Sequence, residues 1–488
     1  MLGNFQPHAV DYLRFLPEII LSIVGIAIMM LEAVTSERQK SSLATLSLVG
    51  VAGAFIANIF AYSTHGPAFQ NMIVIDGYGT FFRALVLVVG FLCILPSLSY
   101  LQRERANTGE YYALILFSLV GQCVLVTAND LIMVFIGLEI SSIATYILAD
   151  FLRDDRRNNE SSLKYFLLGS FATGFLLYGI AWIYGMTGST NLDEIRRVLA
   201  DPTLRPPVVL AGLSAALLFV GFAFKVSVAP FQVWAPDVYQ GAAAPVSAFM
   251  STGAKAAAFA VFFRVFMTSF GPMSDRWMPL VWGCALASMI VGNFAALTQT
   301  NVKRLLGYSS IAHAGYILIA LTADSQIGMA AAMFYLASYA LMTIGAFVVV
   351  SHVASRHERY VRIDDLAGLS RREPVTAALL AIFVFSLIGV PLTGGFFAKY
   401  YIFQAALDSH LVWLTILGLI NSAIAAFYYL RIIVAAYMRD PGTATAELVP
   451  ISKGTNVAIW ASALGVLFLG IFPSALLSFA SFSASIFK

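Results

Sequence analysis

The chain has 488 residues, 59% of them hydrophobic and only 11% charged, with a formal net charge of +3. A soluble domain carries about 25% charged residues, so the composition excludes a soluble globular protein, and the length counts membrane spans instead of water-soluble domains. The basic residues sit in short loops and do not point to nucleic acid. Cys93, Cys123 and Cys284 stand singly in apolar runs with no C-x-x-C pair, against iron–sulfur, zinc and disulfide frameworks, and no G-x-G-x-x-G or Walker A loop encodes nucleotide binding.

Apolar runs of the length a bilayer requires, roughly 20 residues, predict an all-α polytopic membrane protein of about fourteen transmembrane helices. They fall near 16–34, 42–62, 79–100, 111–128, 130–151, 161–185, 208–239, 244–268, 278–299, 303–322, 326–353, 373–407, 411–438 and 454–480. The first lacks a basic flank and a small-residue cleavage site and reads as a retained span. The odd-numbered loops hold seventeen Lys and Arg, against six on the even side, where Arg14, Arg205 and Lys488 fall. That asymmetry predicts cytoplasmic odd loops, Arg38 among them, with both termini on the opposite side.

The seventh span contains Lys225 and then Pro230, whose ring clashes one turn back and is expected to break the helix and free the Val226 carbonyl. Freed backbone groups at membrane depth are tolerated only inside protein or beside a cavity, so a broken helix next to a buried amine is the pattern of an ion pathway. A kinked helix with a snorkelling lysine is the plainer alternative. The twelfth span breaks similarly at Pro391-Leu392-Thr393-Gly394-Gly395 and carries Lys399. Ser141-Ser142-Ile143-Ala144 followed by Tyr146-Ile147-Leu148 is echoed by Ser309-Ser310-Ile311-Ala312 followed by Tyr316-Ile317-Leu318. Five helices per unit is an odd number, so the second copy crosses the membrane upside down, as an inverted repeat. The expected organisation is an N-terminal three-helix segment (1–110), a first repeat (111–268), a second, inverted repeat (278–438) and a C-terminal helix (439–488).

A charged residue at mid-membrane costs on the order of 3 kcal/mol on insertion scales and marks function. Lys225, Lys255 and Lys399 lie deep in their spans, and so does His313. Arg83, Arg264 and Arg431 lie within about two turns of a helix end and read as snorkelling anchors. Glu139 is the one carboxylate read as well inside a span; Glu18 and Glu32 lie near helix ends. Lys225 is the economical partner for Glu139, since an unpaired carboxylate in lipid takes up a proton. Glu139, Lys225, Lys255, His313 and Lys399 all fall near mid-depth and are expected to form a polar row parallel to the membrane plane. Such a row passes protons but has no energy source of its own.

Three stretches carry a family resemblance. They are Pro230-Phe231-Gln232-Val233-Trp234-Ala235-Pro236-Asp237-Val238-Tyr239-Gln240-Gly241-Ala242, Pro391 to Lys399, and Val302-Lys303-Arg304-Leu305-Leu306-Gly307-Tyr308-Ser309-Ser310-Ile311-Ala312-His313. The chain resembles the antiporter-like subunit N family of proton-translocating NADH:quinone oxidoreductases, the respiratory complex I enzymes, over nearly all its length. The resemblance implies a fourteen-helix antiporter-like fold with Glu139 paired to Lys225, Lys255 central and Lys399 terminal. It implies proton translocation in a bacterial inner membrane, driven by NADH oxidation in partner subunits that hold the FMN, iron–sulfur clusters and quinone, with no cofactor in this chain. Other membrane-arm subunits are the implied partners. Gln232 departs from the family's usual His and cannot carry a proton. The alternative is a subunit of a multi-protein cation/proton antiporter, which shares the fold.

Overall fold

In a computed structural model the described residues are 7–36, 39–201, 203, 208–446 and 448–487; Arg38, Arg205 and Lys488, which enter the charge asymmetry, lie outside them. Among the described residues the regular structure is helical apart from one antiparallel hairpin, β1 (Gly66–Ala68) and β2 (Ile73–Ile75). The first half contains α1 (Ala9–Arg14), α2 (Leu16–Glu32), α3 (Ser41–Ser63), α4 (Gly77–Glu104), α5 (Gly109–Thr127), α6 (Leu131–Ala149), α7 (Arg156–Thr187), α8 (Leu192–Ala200), α9 (Val208–Lys225), α10 (Trp234–Gly241), α11 (Ala244–Phe249) and α12 (Lys255–Thr268). The second contains α13 (Ser274–Leu297), α14 (Val302–Thr322), α15 (Gln326–Val353), α16 (Leu369–Arg372), α17 (Pro374–Ile388), α18 (Gly394–Asp408), α19 (Val412–Met438), α20 (Thr443–Ala446), α21 (Lys453–Ile471) and α22 (Pro473–Ser483). Counting α11 to α12 as one, twelve helices among the described residues are long and apolar enough to cross a membrane. The half-helix α17 is shorter than that, and α2 has 17 residues.

Helix starts follow from local chemistry. The first N–H groups of a helix lack intrahelical partners, and polar side chains accept from them. Asp76 caps α4, Asp130 caps α6, Asp155 caps α7, Asn301 caps α14, Ser325 caps α15 and Ser452 caps α21. The span from Ala244 to Thr268 is wholly enclosed by its neighbours, and α14 and α15 nearly so, whereas α7 and α19 turn much of their surface outward. Ala244, Ser247, Ala248, Ser251, Ala254 and Ala257 make the central span slim, which lets surrounding backbones approach closely.

Both breaks end in the same way. After α9 the Val228 N–H donates to the Ala223 carbonyl and the Ser227 N–H to Phe224, with Ser227 at φ 61°. After α17 the Val390 N–H donates to Phe385 and the Gly389 N–H to Ser386, with Gly389 at φ 95°. Each is a Schellman motif with its left-handed residue just past the helix. The expectation that Pro230 starts the first break is therefore corrected. The helix has stopped at Lys225, turned by Ser227, and Pro230 lies in the link that follows, after a cis peptide bond. At the second break Gly395 is required by contact, because a Cβ there would sit 1.8 Å from the Ser386 carbonyl oxygen.

A second correspondence lies at the helix starts. The Leu131 N–H donates to the Thr190 carbonyl at 2.8 Å, the Leu192 N–H to Asn129 at 3.0 Å, and Asp130 bridges Asn191. In the second half, Val302 donates to Val361 at 2.8 Å, Ile363 to Thr300 at 2.8 Å, and Asn301 bridges Arg362. Every member of the second set follows its counterpart by the same number of residues. One set ties the start of α6 to the segment after α7, and the other ties the start of α14 to the segment after α15.

Candidate functional site

The three deep lysines are buried at 7%, 1% and 7% relative exposure for Lys225, Lys255 and Lys399, and His313 at 2%. Among the described residues none of the three amines meets a carboxylate. Lys225 ends α9 and its Nζ donates to the Ser142 hydroxyl at 2.8 Å and the Tyr165 hydroxyl at 3.1 Å. Lys255 follows a π-helical turn, Met250–Ala254, of the kind that often marks function, and donates to the Ser310 carbonyl at 3.1 Å and to the Ser310 hydroxyl. Lys399 reaches back from α18 to the end of α17, donating to the Leu387 carbonyl at 3.1 Å, the Ile388 carbonyl at 2.7 Å and the Ser422 hydroxyl at 2.8 Å. An ammonium has three donors and no acceptor. Lys399 has all three engaged, two of them at the negative pole of a half-helix, where a cation is stabilised. Lys225 and Lys255 each engage two, the number of N–H bonds on a neutral amine.

Aromatic hydroxyls join the lysines. Lys225 lies 5.8 Å from the Tyr146 ring and Lys399 lies 5.3 Å from the Tyr316 ring, so the echoed Tyr-Ile-Leu segments place a tyrosine against a lysine in each half. Tyr165 stacks on Trp234 at 4.5 Å, and Trp234 meets Tyr239 at 5.7 Å. The Tyr239 hydroxyl is buried without a hydrogen-bond partner among the described residues and lies beside Ser227 and Ser310, the latter holding Lys255. Tyr339 lies beside Ser310 as well, and its ring meets His313 at 5.1 Å. His313 Nδ1 is 2.6 Å from the Tyr335 hydroxyl and Nε2 is 3.2 Å from that of Tyr429, which bonds Ser309. Its ring then meets Tyr316 at 5.9 Å, and through it Lys399. The structure thus brings Lys225, Lys255, His313 and Lys399 into one line of contacts.

Glu139 is placed differently from expectation. It is half-buried on the flank of α6 near the exposed Ile136, Ile140 and Ile143, and its Oε1 accepts from Thr173 at 2.9 Å. The expected ion pair with Lys225 is not formed; Ser142, one turn further along α6, takes the amine instead. Two expected anchors are corrected too. Arg83 is fully buried in an ion pair with the equally buried Glu18 at 2.6 Å, and Arg264 pairs with Asp76 at 2.8 and 3.0 Å. Glu18 is therefore a carboxylate fully inside the protein. Arg431 is half-buried and donates to the Leu297 carbonyl at 2.8 Å. Gln232 is half-buried, with Oε1 unpartnered. Among the described residues no three His, Cys, Asp or Glu side chains converge where a metal would be held.

Sequence reasoning missed Tyr165, Tyr239, Tyr335, Tyr339 and Tyr429. An aromatic residue in an apolar run reads as packing; the available signal was that a buried Tyr hydroxyl needs a partner.

A family model described as NADH:quinone oxidoreductase/Mrp antiporter, TM, matches residues 128–425. The chain is 59% identical over 484 residues to NADH-quinone oxidoreductase subunit N 1 of Solibacter usitatus (strain Ellin6076), covering 99% of each. It is similar to a chain of the respiratory complex I structure from Thermus thermophilus with bound aureothin, at 33% identity and a TM-score of 0.81, covering 95% of this chain and 98% of that one. A chain of the Mrp complex from Dietzia sp. DQ12-45-1b shares the fold, with a TM-score of 0.84 at 19% identity, covering 98% of this chain and 97% of that one.

Proposed function

The chain belongs to the NADH-quinone oxidoreductase subunit N family, and from that premise we propose that its line of amines, hydroxyls and imidazole carries protons across the membrane. The carrying observation is that, among the described residues, three buried amines meet only neutral acceptors, linked through tyrosines and His313. An ammonium that donates only to hydroxyls or carbonyls gives up its proton more easily than one locked in an ion pair, because no opposite charge must be left behind. Lys225, Lys255 and Lys399 are the stations, and His313, whose two ring nitrogens meet the Tyr335 and Tyr429 hydroxyls, is the bridge. Glu139, on the outward flank of α6 and one turn from the Lys225 contact, is the carboxylate that a neighbouring membrane subunit can reach.

NADH, FMN, iron–sulfur clusters and quinone belong to partner subunits in this reading, and electron transfer there supplies the free energy. Moving one charge against 100 mV needs about 2.3 kcal/mol. The chain lies in a bacterial inner membrane with both termini on the non-cytoplasmic side. Two inverted repeats, 111–268 and 278–438, are supported by the paired Schellman breaks and the equally spaced backbone bonds at the starts of α6 and α14. The cation/proton antiporter alternative has the shared fold in its favour; the 59% identity to a subunit N favours the oxidoreductase. The test is Lys255→Ala in the assembled membrane complex, comparing protons pumped per NADH oxidised. Pumping should fall while the complex still assembles; full pumping would end this reading.

A further inference from the structure

Outside the line, Lys303 and Glu358 form a buried ion pair. Lys303 lies in the first turn of α14 with 0% exposure. Glu358 comes from the connection after α15 and is 7% exposed. The two side chains bond each other, and each also bonds backbone at a different helix end. Lys303 Nζ donates to the Ala242 carbonyl at 2.5 Å, at the C-terminal end of α10. Glu358 Oε1 accepts from the Ala244 N–H at 2.7 Å, at the start of α11, and from the Tyr100 hydroxyl at 2.9 Å. The cation sits on a negative helix pole and the anion on a positive one, the orientation the helix dipole favours.

We propose that Lys303 and Glu358 are positioning residues, a polar clasp that fixes the angle between α10 and the span that begins with α11. This rests on the proton-carrying line proposed above. α10 contributes Tyr239 and Trp234, the latter stacked on Tyr165 beside Lys225. The continuous span from Ala244 contributes Lys255. α14, which carries Lys303, also carries Ser310 and His313. A change of angle at Ala242–Ala244 separates Tyr239 from Ser310 and Lys255, breaking the line where it crosses from the first lysine to the second. A second tether holds the same half-helix: Asp237 of α10 bonds Arg304 at 2.5 Å and Lys164 at 2.8 Å.

The clasp differs from an ordinary ion pair in having a direction. Four variants of the whole complex separate the possibilities, read as protons pumped per NADH oxidised and as assembly on a native gel. Lys303→Gln and Glu358→Gln, made singly, leave a buried unpaired charge, and the ratio should fall by about tenfold. With both changes together the charges vanish but the bonds are retained: the Gln amide at 303 donates to Ala242 and the Gln at 358 accepts from Ala244 and Tyr100. This double variant should return to within about twofold of the native ratio. The exchange Lys303→Glu with Glu358→Lys restores a pair but points each charge at the wrong pole, and it should remain as impaired as the singles. Recovery in the exchange variant overturns the clasp, and so does a double glutamine variant as impaired as the singles, which would make the charges themselves carriers. Native pumping in both singles also overturns it. If the singles do not assemble, assembly of the double glutamine variant and failure of the exchange variant still support the clasp, and the reverse refutes it. Lys225→Ala run alongside tests the line itself: undiminished pumping there refutes the proton line, whereas a defect there with a contrary clasp result refutes only the clasp.

Discussion

The same substitution at two lysines should have different structural consequences. At the second break the Schellman bonds satisfy the Phe385 and Ser386 carbonyls, and the Lys399 amine satisfies the next two, Leu387 and Ile388. Lys399→Met orphans both. An unsatisfied buried carbonyl costs about 1–3 kcal/mol, and the membrane interior has no water to replace the partner. Removing a buried amine returns part of this, leaving a net loss of about 2 kcal/mol in local stability. At 1.4 kcal/mol per factor of ten, opening of the break becomes about thirtyfold more favourable. Lys225, by contrast, bonds only the Ser142 and Tyr165 hydroxyls. Lys225→Met should impair pumping but alter opening at its own break by less than about threefold, since a hydroxyl can rotate to another acceptor. Amide hydrogen exchange on the assembled complex measures both, over 385–395 and 222–231. Equal responses at the two breaks, or unchanged protection over 385–395 in Lys399→Met, would refute the reasoning.

Two further outcomes follow from packing and burial. Gly395→Ala pushes a Cβ to 1.8 Å from the Ser386 carbonyl oxygen, whereas Gly442 has no neighbour within 4 Å of the corresponding position. Gly395→Ala should cost about 3 kcal/mol, at the upper end for overpacking, and Gly442→Ala should be nearly silent when thermal inactivation of quinone reduction is followed; similar midpoints would contradict the contact. Arg83→Met strands the Glu18 carboxylate in a site where both side chains have 0% exposure. It should destabilise by about 3–5 kcal/mol, and Glu18→Gln added to it should recover most of the loss. No recovery in a thermal melt would show that Glu18 does not need its partner.

Hydropathy made the spans legible, and the rarity of charge within them made Lys225, Lys255, Lys399 and His313 stand out. What depended on side-chain direction was hidden. Glu139 and Ser142 lie three residues apart on α6, and sequence chemistry favoured the carboxylate as the lysine's partner, yet the hydroxyl faces it. The second break announced itself through Pro391, Gly394 and Gly395, whereas the first turns on Ser227, a residue with no signature for a left-handed conformation. Arg83 and Arg264 lie near helix ends, where a snorkelling reading is reasonable for a lone basic side chain. It fails because Glu18, distant in sequence, and Asp76 approach them in the fold.

The distribution of charge gives the line its character. Opposite charges that meet in this protein do so toward the helix ends: Glu18 with Arg83 and Asp76 with Arg264 near one end, Lys303 with Glu358 and Asp237 with Arg304 near the other. Each joins residues of different segments and holds helices in register. Between them, among the described residues, Lys225, Lys255 and Lys399 have only hydroxyls, carbonyls and aromatic faces. A carboxylate bonded to any of these amines would deepen that station and hold its proton, since separating a buried pair costs several kcal/mol. A hydroxyl both donates and accepts, so Ser142, Tyr165, Ser310 and Ser422 can hold either form of the amine beside them. Placing Glu139 against Thr173, one turn away from the Lys225 contact, keeps the one carboxylate that α6 presents off the station while leaving it at the flank, where a neighbouring subunit can reach it.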